Sequence, residues 1–246
     1  MLLDFFRSYP YFLWSLVLMA ACLAALPFCQ ANLRRTMVMS GLLMLPFAFT
    51  SLLIEPGYWL PHRLCCFLTG PEDFIIAFAT GGLSWIMASW PLRRRLRVEV
   101  LGWRILGRYV VGTLAGLSVG GVFRLFGVGP LAAMVLAFSI FGVAIFWLGG
   151  RLWQVALSGF VGFTALYFAV VKVVFLLCPE FIHQWNEPNL WGPRIWGVPI
   201  DEITGAAGFA AAWPLFMAYL FCVRIGRDGE GDPTPQSRVR ICADGA

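Results

Sequence analysis

Seven apolar runs of about twenty residues, divided by short polar stretches, leave this chain one architecture. They cover Tyr11–Gln30, Thr36–Ile54, Pro71–Trp90, Tyr109–Phe126, Leu131–Leu148, Trp153–Leu177 and Val198–Val223. Each is long enough to cross a hydrocarbon layer roughly 30 Å thick as a helix. Barrel strands would need a polar residue at every second position, and irregular backbone cannot face lipid, so the runs are helices. The expectation is an all-α polytopic membrane protein. The 246 residues are 60% hydrophobic and 13% charged, which excludes an ordinary soluble domain.

Charge placement sets the expected orientation. With the N-terminus outside, the inner segments hold Arg34, Arg35, Arg93, Arg94, Arg95, Arg97, Arg104, Arg108, Arg151, Arg224, Arg227, Arg238 and Arg240. The outer segments hold only Arg7, Arg63, Arg124 and Arg194. Thirteen against four is a positive-inside bias. It suits a bacterial inner membrane with the C-terminus inside, and Asp4 and Arg7 before the first run argue for a true span rather than a cleaved signal. Topology thus accounts for the net charge of +5, so no nucleic-acid partner is expected, and Arg93–Arg97 reads as a topology anchor.

The cysteines show no metal spacing. Cys22, Cys29 and Cys222 read as core residues, while Cys65, Cys66 and Cys178 fall on the outer side, where a bridge between loops is conceivable. Gly112, Gly116 and Gly120 recur every fourth residue in span four, which predicts a close helix–helix approach. Lys172, in the outer half of span six, is expected to snorkel or to meet a carboxylate. His62 and His183 read as loop residues, with no metal site, and no phosphate loop, dinucleotide fingerprint or nucleophile elbow is present, so no cofactor is expected.

The chemistry sits in two acidic pairs. Glu72-Asp73 and Asp201-Glu202 each open an apolar run, each just after a loop rich in Trp, Pro and Gly. Carboxylates near lipid are costly. An acid in the first turn of a helix also complements its dipole, so capping competes with acid–base chemistry as the reason for them. The common offset of 129 residues (201 − 72 and 202 − 73) suggests two copies of one unit. The expected division is a first three-helix pseudo-repeat over 1–90, a basic loop with connector helix over 91–130, a second pseudo-repeat over 131–223, and a disordered inner tail over 224–246. The copies would be related by an axis along the membrane normal. Glu72 and Glu202 are the expected acid and base, with Asp73 and Asp201 tuning them. Trp59, Phe74, Phe78, Trp85, Trp196 and Trp213 are the candidate substrate-binding aromatics, since aromatic faces stabilise cations.

Two stretches resemble the lycopene cyclase domain family. They are Gly70-Pro71-Glu72-Asp73-Phe74 with Gly81-Gly82, and Ile195-Trp196-Gly197-Val198-Pro199-Ile200-Asp201-Glu202. That family's mark is a Pro-x-Glu-Glu motif opening a helix in each half, with an upstream Trp-Gly. Here Asp201 replaces the first Glu of the second motif, and Pro71 abuts Glu72 with no intervening residue. The resemblance implies a membrane-embedded, redox-neutral cyclisation of linear carotenoid ends by protonation and deprotonation, with membrane lipid around it and a homo- or hetero-oligomer possible. Two alternatives are a non-catalytic apolar-lipid-binding or partner subunit, and a proton-coupled transporter. Apart from Lys172 no charge lies deep in several spans, as a transporter would need.

Overall fold

A computed structural model describes residues 2–55, 57–65, 69–99, 102–149 and 152–226. Most of the expected inner tail lies outside the described residues. The helices are α1 (Leu2–Ser8), α2 (Pro10–Ala25), α3 (Ala31–Met44), α4 (Ser51–Ile54), α5 (Pro71–Ser89), α6 (Arg104–Leu125), α7 (Pro130–Gly149), α8 (Trp153–Leu177) and α9 (Ile200–Leu220). With their continuations they give, among the described residues, seven helices long and apolar enough to cross a membrane, one for each expected run. Proline opens α2, α5 and α7, where its missing N–H costs nothing and its fixed φ suits the first turn.

Helices α5 and α9 are the most buried spans and form the centre of the bundle. Both are tied to α3 by indole hydrogen bonds. Trp85 Nε1 donates to Thr36 Oγ1 at 2.9 Å, and Trp213 Nε1 donates to Ser40 Oγ at 2.9 Å. Thr36 and Ser40 are four residues apart, so one helix face receives both rings. The Ser40 hydroxyl in turn donates to the Gly81 carbonyl at 2.7 Å. Helices α3 and α5 meet at glycines: a Cβ on Gly41 would lie 2.8 Å from the Phe78 carbonyl oxygen, and one on Gly81 would lie 2.6 Å from Met44 Cβ.

A second close approach joins α8 to α9. Pro214, inside α9, has no N–H to give the carbonyl of Ala210 four residues earlier. Gly159 of α8 lies over that carbonyl so closely that any Cβ there would collide with its oxygen.

The glycine stripe of α6 behaves differently from the expectation. Only Gly112 meets a tight neighbour, the Phe216 ring 2.5 Å from its virtual Cβ; Gly120 has ordinary contact with Ala137 and Gly116 faces open space. The helix is peripheral, with three buried residues, and of the stripe only Gly112 is a point of tight approach.

Short antiparallel pairings fix the two ends. Leu96–Arg97 pairs with Arg224–Ile225 at the Arg-rich end. At the opposite end Arg194–Ile195 pairs with Val198–Pro199. The two residues between, Trp196 and Gly197, have φ of 50° and 86°, the signature of a tight hairpin turn. Trp196 is an unusual occupant of that left-handed region, where a side chain is strained.

Candidate active site

The acidic pairs lie at the same end of the bundle, in the first turns of α5 and α9. Adjacent helical residues point about 100° apart, so the members of a pair must face different surroundings. Within each pair they divide in the same sense.

The first member of each pair turns back to the loop before its helix. Glu72 Oε1 accepts the Leu64 N–H at 2.6 Å, and Asp201 accepts the Trp191 N–H at 3.0 Å and 3.2 Å. Glu72 is wholly buried, and its Oε2 has no hydrogen-bond donor among the described residues. That oxygen presses on Gly70 so tightly that a Cβ there would collide with it.

The second member of each pair faces tyrosines from elsewhere. Tyr11 Oη donates to Asp73 Oδ1 at 2.6 Å. Asp73 Oδ2 accepts the Gly70 N–H at 2.7 Å, capping α5, and Arg63 Nε at 2.8 Å. Arg63 also ion-pairs Glu55, a hydrogen-bonded chain running Glu55–Arg63–Asp73–Tyr11. Burial pulls the Arg63 guanidinium down, but hydrogen bonds to Glu55 and Asp73 outweigh it, so its charge is secure. Among the described residues, the hydrogen-bond donors to Glu202 are neutral. Tyr58 Oη donates to Oε2 at 2.9 Å, Trp185 Nε1 donates to Oε2 at 3.1 Å, and Tyr167 Oη donates to Oε1. Burial first, and then the Glu202 carboxyl, hold the Tyr58 phenol well above its usual value, keeping it a donor.

The loops that carry these groups are laced together. Leu60 N donates to the Gln184 carbonyl at 2.7 Å, and Asn186 N donates to the Tyr58 carbonyl at 2.9 Å, with Trp59 bridged to Trp185 between them. Rings fill the space from one carboxyl to the other. Trp59 meets Tyr11 at 4.7 Å, Trp14 at 5.9 Å and Trp185 at 5.4 Å between centroids, and Trp14 meets Tyr167 at 5.7 Å. A continuous aromatic wall therefore joins Asp73 to Glu202.

Of the six expected substrate aromatics, Trp59 stands in this wall. Trp85 and Trp213 are locked in the helix packing described above. Phe78 packs on Gly41, Phe74 packs on Phe49 at 5.5 Å, and Trp196 is 78% exposed at the hairpin tip against Phe168. Lys172 Nζ donates to the Trp196 carbonyl at 2.6 Å, steadying that turn rather than meeting a carboxylate. Cys65 and Cys178 are both free thiols, Cys65 exposed and Cys178 buried, so no bridge joins them; Cys66 lies outside the described residues. Sequence reasoning did not find Tyr11, Trp14, Tyr58, Tyr167, Arg63 or Glu55. One signal was available: a lone Arg and a lone Glu between spans two and three are a natural ion pair.

A multi-span helical protein with two carboxyl centres joined by an aromatic wall is what the fold and site define. Residues 130–221, covering α7 to α9 and thus Asp201 and Glu202, match the family model described as lycopene cyclase. The matched stretch lies in the second half of the chain and takes in the second of the two motifs read from the sequence. Searches of curated proteins and of solved structures return no match.

Proposed function

We propose that this protein is a membrane isoprenoid cyclase that closes a ring at the end of a linear polyene, a carotenoid by the family it resembles. The reaction is redox-neutral. A proton adds to a terminal C=C and leaves a cation; a second C=C attacks it, forming the ring C–C bond; a proton leaves the carbon beside the new cation and restores an alkene. One proton enters and one departs.

The observation that carries this reading is the pair of tyrosine-bearing carboxyls, Asp73 and Glu202, at the two ends of one aromatic wall. Aromatic faces stabilise a cation by about 0.5–2 kcal/mol each, and the wall supplies several. Glu202, among neutral donors, is the proton donor, with Tyr167 as the relay at Oε1. Asp73, against the fixed charge of Arg63, is the acceptor. Glu72 and Asp201 hold the loops that position Arg63 and Trp185. This moves the acid–base couple from Glu72 and Glu202 to Asp73 and Glu202, which keep the same 129-residue offset.

That offset, with the matching contacts of each pair, also supports the two parallel pseudo-repeats. The gathering of arginines at the end away from the acids supports an external N-terminus. A reporter fused after Ala246 should be active only on the cytoplasmic side; periplasmic activity would reverse the orientation.

The direct test is pigment chromatography of lycopene-accumulating cells expressing the chain. Cyclised product is expected from the wild type and its loss from Glu202→Gln. A wild type inert on lycopene and on other linear isoprenoids would remove the cyclase reading and leave an apolar-lipid-binding or partner-subunit role.

A further inference from the structure

At the end of the bundle opposite the acids, α2, α5 and α8 leave a crevice of about 620 Å³ between them. Its walls are almost wholly apolar, with Ala25, Phe28, Met87, Trp90 and Val161 among them, and with Cys29 at its edge. Phe28 and Val161 are exposed, so the crevice opens sideways to whatever surrounds the spans. Two arginines are held against its lining. The Arg93 guanidinium lies 4.8 Å from the centroid of the Trp90 ring and donates to the Trp90 carbonyl at 3.0 Å. Arg34 Nη2 donates to the Cys29 carbonyl at 3.4 Å. Neither has a carboxylate within ion-pair distance among the described residues. Glu99, the acid of that end among the described residues, is taken by Arg224 at 3.3 Å.

A carbonyl and an aromatic face fix where each guanidinium stands without neutralising it. The result is an apolar slot, open to the bilayer, under two positive charges. A phosphate diester on a long hydrocarbon chain complements both parts. We propose that this crevice is a seat for one anionic phospholipid, its acyl chain between α5 and α8 and its phosphate against Arg34 and Arg93. The site is separate from the acid pairs and does not depend on the cyclase reading.

The test is native mass spectrometry of the full-length protein, delipidated in detergent and titrated with palmitoyl-oleoyl phosphatidylglycerol or phosphatidylcholine. Two near-surface arginines predict a preference for phosphatidylglycerol of roughly thirtyfold. The double variant Arg34→Gln, Arg93→Gln should reduce it to near parity. Val161→Trp, which fills the slot and leaves both arginines in place, should lower phosphatidylglycerol retention about tenfold or more. Equal retention of the two lipids by the wild type overturns the proposal. Undiminished retention by Val161→Trp also overturns it, since it would mean headgroup attraction without a seat. Should the variants fold poorly, phosphatidylglycerol brominated on its acyl chain gives a second readout. The quenched fluorescence lost on Trp90→Phe should be a clear fraction of the wild-type signal, and no difference rejects the site.

Discussion

Asp73 and Glu202 are the same device built with opposite electrostatics. Both sit one residue after a loop-anchoring acid, both open a central helix, and both accept tyrosine hydroxyls. Asp73, however, shares its oxygens with a buried arginine that is itself tied to Glu55, whereas the partners of Glu202 among the described residues are phenols and an indole. A guanidinium is a permanent charge; a phenol can pass a proton on and take another. The difference teaches that the helix position supplies two carboxyls, and that the surrounding loops give each its chemical character.

The comparison breaks most sharply at Glu202. Its Gln variant keeps shape and can still accept from Tyr58 and Trp185, but has no transferable proton, so ring formation should fall by about 10²–10⁴. Pigment chromatography at matched protein levels reads this, and a wild-type rate would mean that the proton comes from elsewhere. Arg63→Met should act on stability instead. Removing the cation of a buried pair costs about 3–5 kcal/mol, here leaving Glu55 and Asp73 facing each other. Thermal unfolding in detergent should show a large drop, and an unchanged midpoint would make the clamp ornamental. Tyr167→Phe deletes one donor to Glu202 and should cost about 1.5–3 kcal/mol in the activity barrier with little loss of fold. A larger effect from Tyr58→Phe than from Tyr167→Phe would assign the relay to the other phenol. Glu72→Gln should do least. Leu64 N–H can still be accepted, so the rate should stay within about tenfold, roughly 1.4 kcal/mol. A Glu202-sized loss there would return the acid's role to Glu72.

The seven spans were legible because length and apolarity alone decide them. The acids were legible as pairs for the same reason, as charges at the edge of hydrocarbon. Which acid of each pair faces the aromatic wall was not, since one residue of rotation separates the choices and only the path of the loops settles it. Tyr11, Tyr58 and Tyr167 carried no signal: a tyrosine in or beside an apolar run looks like any interfacial aromatic until its hydroxyl has a destination. Hydropathy likewise ranked Trp85, Trp196 and Trp213 alike. One is wedged on Thr36, one is at an exposed hairpin tip, and one is hydrogen-bonded to Ser40. The Gly112–Gly120 stripe signalled a tight approach only at Gly112, because α6 lies at the rim, where a smooth face can also look onto lipid.

The crossing of Gly159 over Ala210 bears on how the chain enters its membrane. Because Pro214 denies Ala210 its helical hydrogen bond, α9 on its own would expose a bare carbonyl to hydrocarbon, where neighbours must make good such a gap. The backbone at Gly159 covers that oxygen. Biogenesis therefore favours release of α8 and α9 from the insertion machinery as a preassembled hairpin. Gly159→Leu should strand α9 at that step, visible as a protease-accessible C-terminal segment in membranes where the wild type is protected.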